Sequence, residues 1–207
     1  MMKTVLLIAS DFPPKSTSSS RRPFGLAKYL PEYGWNAIVL TPSVQGRHCT
    51  DHPGIEIIES DLQSKPLFAR YILDRIHKRS YEEKLPGRIQ GSSHISGIEK
   101  PWVTVSRNII FYPDRYFIPW YRNAFKKYLE VASTYPFDAI ISTAMPLTAH
   151  IIARRIKRKT RMPWIADFRD LWPVWHFYHS DREYYHPKRF IDRVLIRWVL
   201  KPSTVLV

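Results

Sequence analysis

Residues 3–41 of the sequence, KTVLLIASDFPPKSTSSSRRPFGLAKYLPEYGWNAIVLT, carry the clearest signal for the fold class. Lys3–Ala9 is a continuous apolar run without alternation, which is typical of a parallel strand covered on both faces. Pro23 is placed where a helix tolerates proline best, in the first turn, and we expect this helix to run to about Tyr33. Asn36–Thr41 is again apolar, so the stretch predicts a strand–helix–strand unit and a parallel sheet.

The rest of the chain continues this alternation of strands and helices. Apolar runs and helical periodicity recur, most clearly in the second half, without internal repeats or low-complexity segments. The middle is less regular, and residues 81–100, with three glycines and three serines, show no period, which is typical of a functional or disordered loop. We therefore expect a single domain over 1–207 with an α/β fold: a Rossmann-like, doubly wound, mostly parallel sheet with helices on both faces. The remaining predicted strands are 55–59, 137–142, 162–168 and 204–207, and the remaining predicted helices are 67–78, 119–133, 146–159 and 186–201.

The composition excludes several classes of protein. Hydrophobic residues make up 44% of the 207 residues, which is enough for a buried core and excludes wholesale disorder. The single cysteine, Cys49, cannot form an intramolecular disulfide, and this fits a reducing compartment. No apolar run approaches the ~18–20 residues of a membrane span, and the N-terminal run lacks the features of a signal peptide. These features favour a cytoplasmic location.

The charge balance favours anionic partners. Lys and Arg number 32 against 18 Asp and Glu, and the formal net charge of +14 exceeds what solubility requires of such a domain. Two segments concentrate the charge: the acid-free run 154–161 and the predicted helix 186–201. That helix suits either a membrane surface or a core position with a solvated basic face, and we favour the core position. Its apolar stripe is Ile191, Val194, Leu195, Trp198 and Val199, and its basic stripe is Arg189, Arg193, Arg197 and Lys201.

The segment after the first strand is the first candidate site. Ligands of an open parallel sheet bind outside the carboxyl ends of the strands, and Ser16–Arg22 lies at such an end before a predicted helix. Its five consecutive hydroxyls and two guanidiniums suit a diphosphate at a helix N-terminus. The alternative is a solvated, N-capped turn with two surface arginines. Neither a Walker loop nor a G-x-G-x-x-G fingerprint is present. The expected contacts to donor phosphates are Ser19, Ser20, Arg21 and Arg22.

Two further candidate sites follow later strands. Asp167, Arg169 and Asp170 lie at the end of a predicted strand, where the core does not need them. The alternative to a functional role is an Arg–Asp ion pair that only stabilises the loop. His150 falls in the first turns of a predicted helix and is the third candidate. The alternative to a functional role is that it is simply a packed or surface histidine. The sequence contains no C-x-x-C, H-E-x-x-H or G-x-S-x-G motif, so neither a metal site nor a hydrolase nucleophile is supported.

Two longer pieces of the chain resemble a known family. DFPP (11–14) followed by SSSRRPFGLAKYLPEYGWNAIVLTP (18–42) looks like one strand–helix–strand unit, and STAMPLTAHIIARRIKRKTRMPWIADFRDLWP (142–173) looks like a later one. Their order and spacing resemble the N-terminal domain of the family 4 glycosyltransferases, which are retaining enzymes with two Rossmann domains (the GT-B type). The matching pieces extend over most of the chain.

This resemblance implies a division of labour between two domains. The N-terminal domain binds mainly the acceptor, a second Rossmann domain holds the nucleotide-sugar, and catalysis takes place in the cleft between them. Such enzymes usually need no metal or other cofactor, and the departing diphosphate assists attack on the same face, so the protein supplies positive charge. By resemblance, Arg169 stabilises phosphate or sugar oxygens, Asp170 orients a hydroxyl, and His150 is a third catalytic candidate. The expected substrate contacts are Asp11, Asp114 and Asp167.

The sequence departs from the family pattern at two places. Many relatives carry a Gly-Gly pair in the first loop, where the backbone approaches the donor phosphates. Here serines and Arg21-Arg22 take its place, so we expect the phosphate contacts to come from side chains. Many relatives also carry a histidine where this sequence has Arg169, although Arg-Asp variants belong to the family pattern.

Together these observations predict the acceptor-side domain of a hexosyltransferase that builds a surface polysaccharide or related glycan. The expected partners are a nucleotide-sugar, a glycan or lipid-linked acceptor, and an anionic membrane surface reached from the cytoplasm. The sequence ends within an apolar run, so we expect a donor domain after Val207 and no activity from the 207-residue chain alone. Two alternatives stay open: a non-catalytic partner domain of the same fold, and a basic nucleic-acid-binding module. The second lacks a recognisable motif of interleaved aromatic and basic residues.

Overall fold

The structure is a computed structural model. The described residues form six strands and four α-helices, with a 3-10 helix, Leu30–Tyr33, after the first of these helices. The strands are β1 Lys3–Ile8, β2 Trp35–Pro42, β3 Glu56–Ser60, β4 Ala139–Ala144, β5 Trp164–Phe168 and β6 Val205–Leu206. The helices are α1 Ser18–Tyr29, α2 Phe117–Val131, α3 Thr148–Thr160 and α4 His186–Leu200. The described residues are 2–14, 18–43, 54–62, 113–114, 117–144, 146–168 and 186–207, with the backbone alone over 186–189.

All six strands belong to one parallel sheet in the order β3-β2-β1-β4-β5-β6. β1 is central, since Val5 pairs with Ala37 of β2 on one side and with Ala139 of β4 on the other. This is the strand order of a doubly wound, Rossmann-like sheet. The predicted fold class is therefore confirmed, and the predicted strands in the described ranges are present with small shifts of their ends.

Helices cover both faces of the sheet. Successive side chains of a strand point to opposite faces, so Leu7 contributes to one core while Leu6 and Ile8 contribute to the other. α1 packs on the first core through Ala27, and α2, α3 and α4 pack on the second. Each residue from 5 to 9 is at most 1% exposed. Burial on both faces explains why β1 is a continuous apolar run rather than an alternating one.

The start of α1 differs from the prediction. The helix runs from Ser18 to Tyr29, so Pro23 is buried inside it and not in its first turn. The hydroxyl of Ser19 donates a hydrogen bond of 2.7 Å to Oδ2 of Asp11, at the end of β1. This tertiary contact stabilises an extra helical turn before Pro23. Local sequence preference alone would place the proline in the first turn. Consequently the segment from Ser18 to Arg22 belongs to the helix and not to a loop.

α4 has the predicted bounds but not the predicted burial. Val199 is fully buried and Leu195 packs against the core, as expected for the apolar stripe. Ile191, Val194 and Trp198 of the same stripe are instead about half exposed. α4 contacts α3 at the edge of the layer, and the sheet beneath ends in the two-residue strand β6. The core therefore covers a narrower side of this helix than its sequence would allow.

Two of the predictions about the fold concern residues outside the described ranges, namely the helix 67–78 and the aperiodic segment 81–100. The predicted helices 119–133 and 146–159 correspond to α2 and α3. Within the described ranges, none of the helices combines the length and the apolar character that a bilayer crossing requires.

Candidate functional site

The carboxyl ends of β1 and β4 form the switch point of the sheet. From β1 the chain continues to β2 on one side, and from β4 it continues to β5 on the other, so a crevice opens where the connections diverge. α1 follows β1 and α3 follows β4, so both helices begin at this edge with their unpaired N–H groups and positive dipole ends. The predicted site residues at this edge are Asp11, Ser19, Ser20, Arg21, Arg22, Asp114, His150 and Asp167.

The first turn of α1 holds the four predicted phosphate contacts. Ser19 donates the hydrogen bond described above to Asp11, so these two predicted site residues hold each other in position. Ser20 is buried, whereas Arg21 is exposed and forms no ion pair with the described residues. Arg22 is also exposed. The two arginines therefore present positive charge to solvent, and the serines build the turn that carries them.

An ion pair between Arg22 and Asp167 crosses the switch point. Nε of Arg22 donates to Oδ2 of Asp167 at 2.9 Å, and Nη2 donates to Oδ1 at 2.6 Å. The pair connects α1 with β5 over the intervening end of β4. The Arg22 side chain is 47% exposed, whereas the Asp167 side chain is 5% exposed. A bidentate pair fixes the guanidinium plane, and the N–H donors that it does not use stay available to an anion in the crevice.

Asp114 caps the first turn of α3. Its Oδ2 accepts a hydrogen bond of 2.7 Å from the backbone N–H of Thr148, and its Oδ1 accepts one of 2.6 Å from the Thr148 hydroxyl. A carboxylate in this position satisfies one of the four N–H groups that a helix start leaves without a partner. The visible role of Asp114 is thus structural, and its predicted contact with substrate stays a prediction.

Asp114→Ala is expected to lower the free energy of unfolding by about 1–2 kcal/mol, because α3 loses its cap and the Thr148 N–H is left without its acceptor. Asp114→Asn retains one amide oxygen and should recover part of that loss. Urea unfolding followed by circular dichroism measures both variants. Asp61→Ala is the control, since Asp61 is exposed and accepts a single side-chain hydrogen bond from Ser43. Equal losses for Asp114→Ala and Asp61→Ala would contradict the capping role.

Ser142, His150 and Trp164 form a fully buried hydrogen-bonded chain. The indole N–H of Trp164 donates to Oγ of Ser142 at 2.8 Å, and this Oγ lies 2.6 Å from Nδ1 of His150. The Ser142 hydroxyl can donate its proton to Nδ1, or it can accept from Nδ1–H on its second lone pair, so both neutral tautomers of His150 fit this contact. The Nε2 atom has no hydrogen-bond partner among the described residues. The chain links β4, β5 and α3 directly beneath the switch point.

Burial lowers the pKa of His150 from 6.5 to about 3, so the imidazole is neutral near physiological pH. Its ring centroid lies 4.4 Å from that of Phe168, and the residue is 0% exposed. Such burial does not support direct contact between His150 and a substrate. The observed contacts are those of a packed histidine, which was the alternative to a functional one. His150 can therefore affect catalysis only indirectly, by holding β4 and α3 in position.

The two leading catalytic candidates, Arg169 and Asp170, lie outside the described residues. β5 ends at Phe168, so these candidates directly follow a strand whose Asp167 is part of the site. In the part of the chain that the structure describes, no group of three or more His, Cys, Asp or Glu side chains could hold a metal ion.

Sequence reasoning missed two partnerships at this edge. Arg22 and Asp167 were separate candidates, and nothing local links residues 145 positions apart. The second missed partnership joins Ser142 and Trp164 to His150. The sequence held a signal for it, because a serine and a tryptophan in predicted buried strands each need a hydrogen-bond partner.

Comparisons with known proteins identify a fold but no family. No protein-family model and no curated protein sequence matches this chain. The fold is similar to that of the solved structure of sucrose-phosphate synthase from Thermosynechococcus elongatus, with a TM-score of 0.56 and 10% sequence identity over 99% of this chain. The match covers 41% of that protein, so this chain spans less than half of its length. At this identity the likeness concerns the fold alone.

Proposed function

We propose that this chain is the acceptor-side domain of a retaining GT-B glycosyltransferase similar to those of family 4. It takes part in transfer of a hexosyl group from a nucleotide-sugar to a glycan or lipid-linked acceptor during the synthesis of a surface polysaccharide. The observation that carries the proposal is the Arg22–Asp167 pair, a half-exposed guanidinium held by a buried carboxylate at the switch point. The fold similarity to sucrose-phosphate synthase supports it, because that protein's name describes the synthesis of a sugar phosphate.

The chemistry of the proposed reaction matches the charges of the crevice. When the glycosidic bond to the nucleotide breaks, negative charge develops on the departing diphosphate, and fixed cationic or N–H donors stabilise it. Arg22 is already oriented by Asp167, and Arg21 is exposed beside it. The first turn of α1 itself contains no acidic residue, and the carboxylate of Asp11 contacts it through the Ser19 hydroxyl. At the place where ligands of this fold bind, the crevice therefore offers the oriented N–H donors of Arg22 and the exposed positive charge of Arg21.

The remaining roles are part of the same proposal. Arg169 supplies a further guanidinium to phosphate or sugar oxygens, and Asp170 orients the acceptor hydroxyl. Asp11 and Asp114 line the acceptor side, where their visible contacts also hold the two helix starts in place. The nucleotide-sugar is held mainly by a second Rossmann domain, and the protein works at the cytoplasmic face of a membrane.

Sugar transfer by the complete protein, isolated from its host, is the direct test. Labelled nucleotide-sugars are offered one at a time with a lipid extract of the host as acceptor, and one donor is expected to be consumed with retention of anomeric configuration. Arg169→Ala should lower turnover by at least about tenfold, since it removes positive charge from the departing diphosphate. Lys28→Ala is the control, because Lys28 is exposed in the last turn of α1.

Two results would contradict the proposal. One is unchanged turnover of Arg169→Ala, which would remove the residue from the site. The other is transfer by the purified 207-residue chain above a no-protein control, because an acceptor-side domain lacks the donor site. Consumption of none of the donors would instead favour a non-catalytic partner domain with the same fold.

A further inference from the structure

α4 presents one continuous apolar strip to solvent. Phe190 is 69% exposed, and Ile191, Val194 and Trp198 are each about half exposed. At 100° per residue these four side chains fall within about a quarter to a third of the helix circumference. The inward side of the helix carries Leu195, Val199 and the buried Asp192. The strip is therefore distinct from the surface by which α4 packs on the core.

Cationic side chains border the apolar strip on both sides. Arg193 and Arg197 are exposed and lie one after the other along one side of it, and Lys201 extends that row. On the other side, Arg154 of α3 stacks on the Trp198 ring at 3.6 Å and donates from Nε to the Trp198 carbonyl at 2.8 Å. We call the four apolar residues and these four cations the α4 surface. It comprises Arg154, Phe190, Ile191, Arg193, Val194, Arg197, Trp198 and Lys201.

The neighbouring helices extend the positive charge of the α4 surface. The exposed cations of α3 include Arg155, Arg158 and Lys159, and Arg161 follows at its end. In the sequences of α2, α3 and α4 the acidic residues are Glu130 and Asp192, and Asp192 is buried. Glu130 is itself engaged with two lysines of α2. The face of the molecule around α4 is thus almost free of exposed negative charge over the described side chains.

We propose that the α4 surface docks on an anionic lipid bilayer. A helix with exposed Phe, Val, Ile and Trp between rows of arginine matches the requirements of interfacial binding. The apolar side chains enter the boundary between headgroups and acyl chains, while the long cationic side chains reach lipid phosphates at the same depth. The stack of Arg154 on Trp198 places a guanidinium and an indole together, a combination suited to the membrane–water boundary.

Charge complementarity favours the bilayer over a second copy of this chain and over nucleic acid. A second copy of the chain, joined by a two-fold axis, would bring Arg193 and Arg197 against the same cations of its partner. Nucleic acid would match the charge but would leave Phe190, Ile191 and Val194 without apolar contacts. An anionic bilayer satisfies both the charged and the apolar parts of the surface.

The direction of α4 adds a consequence that rests on the proposed function. Because β5 and β6 are parallel and α4 connects them, α4 begins near the carboxyl edge of the sheet, where the switch point lies. Phe190 and Ile191 are in its first turns, at the end closer to that edge. Docking through the α4 surface therefore brings the bilayer beside the crevice, within reach of a lipid-borne acceptor. Vesicle binding does not depend on sugar transfer. An experiment can therefore contradict membrane docking without contradicting the proposed glycosyltransferase function, and the reverse.

Co-sedimentation with vesicles tests the proposal. The protein is expected to bind phosphatidylcholine vesicles that contain about 30% phosphatidylglycerol at ~0.15 M salt, and to bind pure phosphatidylcholine vesicles weakly. Arg193→Glu/Arg197→Glu should weaken binding by about 30-fold or more, because two cations near an anionic surface are removed and reversed. Phe190→Ser/Val194→Ser should weaken it by about tenfold, since less apolar area enters the interface.

Matched controls come from exposed residues that are not part of the α4 surface. Lys3→Glu/Lys28→Glu makes the same change of charge at two exposed lysines, and Tyr29→Ser/Tyr33→Ser removes comparable exposed apolar area. Thermal unfolding checks that all four variants fold, as expected of changes at exposed positions. Equal losses in controls and α4 variants would overturn the proposal, as would equal binding to neutral vesicles. It is also overturned if the wild type is a dimer and Phe190→Ser/Val194→Ser is a monomer.

Discussion

Arg22→Ala is expected to lower the kcat of sugar transfer by about 10²- to 10³-fold, the cost of removing one preorganised donor from developing negative charge. The size of the effect follows from the geometry of the pair. Two hydrogen bonds of 2.6 and 2.9 Å hold the guanidinium against Asp167, so its orientation is set before the substrate arrives. A donor that needs no reorganisation contributes more to the transition state than to the ground state.

Conservative variants separate charge from geometry at this position. Arg22→Lys keeps the positive charge but loses the two-pronged contact, so its kcat should lie between those of the wild type and Arg22→Ala. Asp167→Asn keeps a partner for Arg22 but removes the carboxylate that fixes it. We expect Asp167→Asn to lower kcat as well, by less than Arg22→Ala does, because the guanidinium is still present. Steady-state kinetics with the donor and acceptor found by the transfer assay measure all three.

A double-mutant cycle distinguishes a catalytic pair from one that merely pins α1 to β5. If the residues act as a unit, the double variant Arg22→Ala/Asp167→Ala loses no more turnover than its worse single variant. If the pair only holds the fold together, the cycle shows coupling in the free energy of unfolding, while turnover per folded molecule stays at the wild-type value. The second outcome would remove Arg22 from the proposed site. Lys28→Ala again serves as the control on the same helix.

Much of the fold could be predicted because its signals are local. The unbroken apolar run of β1 indicates a parallel strand with two covered faces, and its alternation with amphipathic segments predicts a doubly wound sheet. The start of α1 could not be placed this way, since Pro23 favours a helix start and the contact that overrides it joins Ser19 to Asp11 in space. The exposure of Trp198 likewise depends on how much sheet lies beneath α4.

The site was harder to predict than the fold. The rule that ligands bind at the carboxyl ends of parallel strands placed Asp11, Arg22 and Asp167 at one edge without any tertiary information. Which of these side chains contact each other depends on the order of the strands, and that order is a global property of the fold. His150 shows the same limit, because its burial is decided by Trp164 and Phe168 of the neighbouring strand.

The buried imidazole of His150 should make the protein markedly less stable in mild acid. In the unfolded chain His150 takes up a proton near its ordinary pKa of 6.5, whereas in the folded protein burial lowers that pKa to about 3. Between these values the unfolded state binds more protons, so the free energy of unfolding falls as pH falls. At about 1.36 kcal/mol per pH unit, this single group removes about 3 kcal/mol between pH 6.5 and about pH 4. Well above pH 6.5, where the histidine is neutral in the unfolded chain too, its contribution is constant.

His150→Asn isolates this effect. The asparagine side-chain amide carries both a donor and an acceptor that can replace Nδ1 as the partner of the Ser142 hydroxyl, but the amide does not titrate. The variant loses packing and is less stable at pH 7, yet the difference between its free energies of unfolding at pH 7 and about pH 4 should be smaller than in the wild type by about 3 kcal/mol. Urea unfolding across this pH range measures both quantities.

The control separates a titration from a general loss of stability. Trp120→Phe removes another buried indole, which donates to Ser60 at 2.7 Å, and it leaves the protonation of His150 untouched. It should lower stability by a similar amount at every pH, because no proton uptake accompanies the loss of that hydrogen bond. A wild-type pH slope that persists in His150→Asn would show that carboxylates, and not this imidazole, set the acid limit. A slope that disappears in His150→Asn and persists in Trp120→Phe would identify a neutral, buried histidine beneath the switch point, whose contribution to any reaction is to hold β4 and α3 in position.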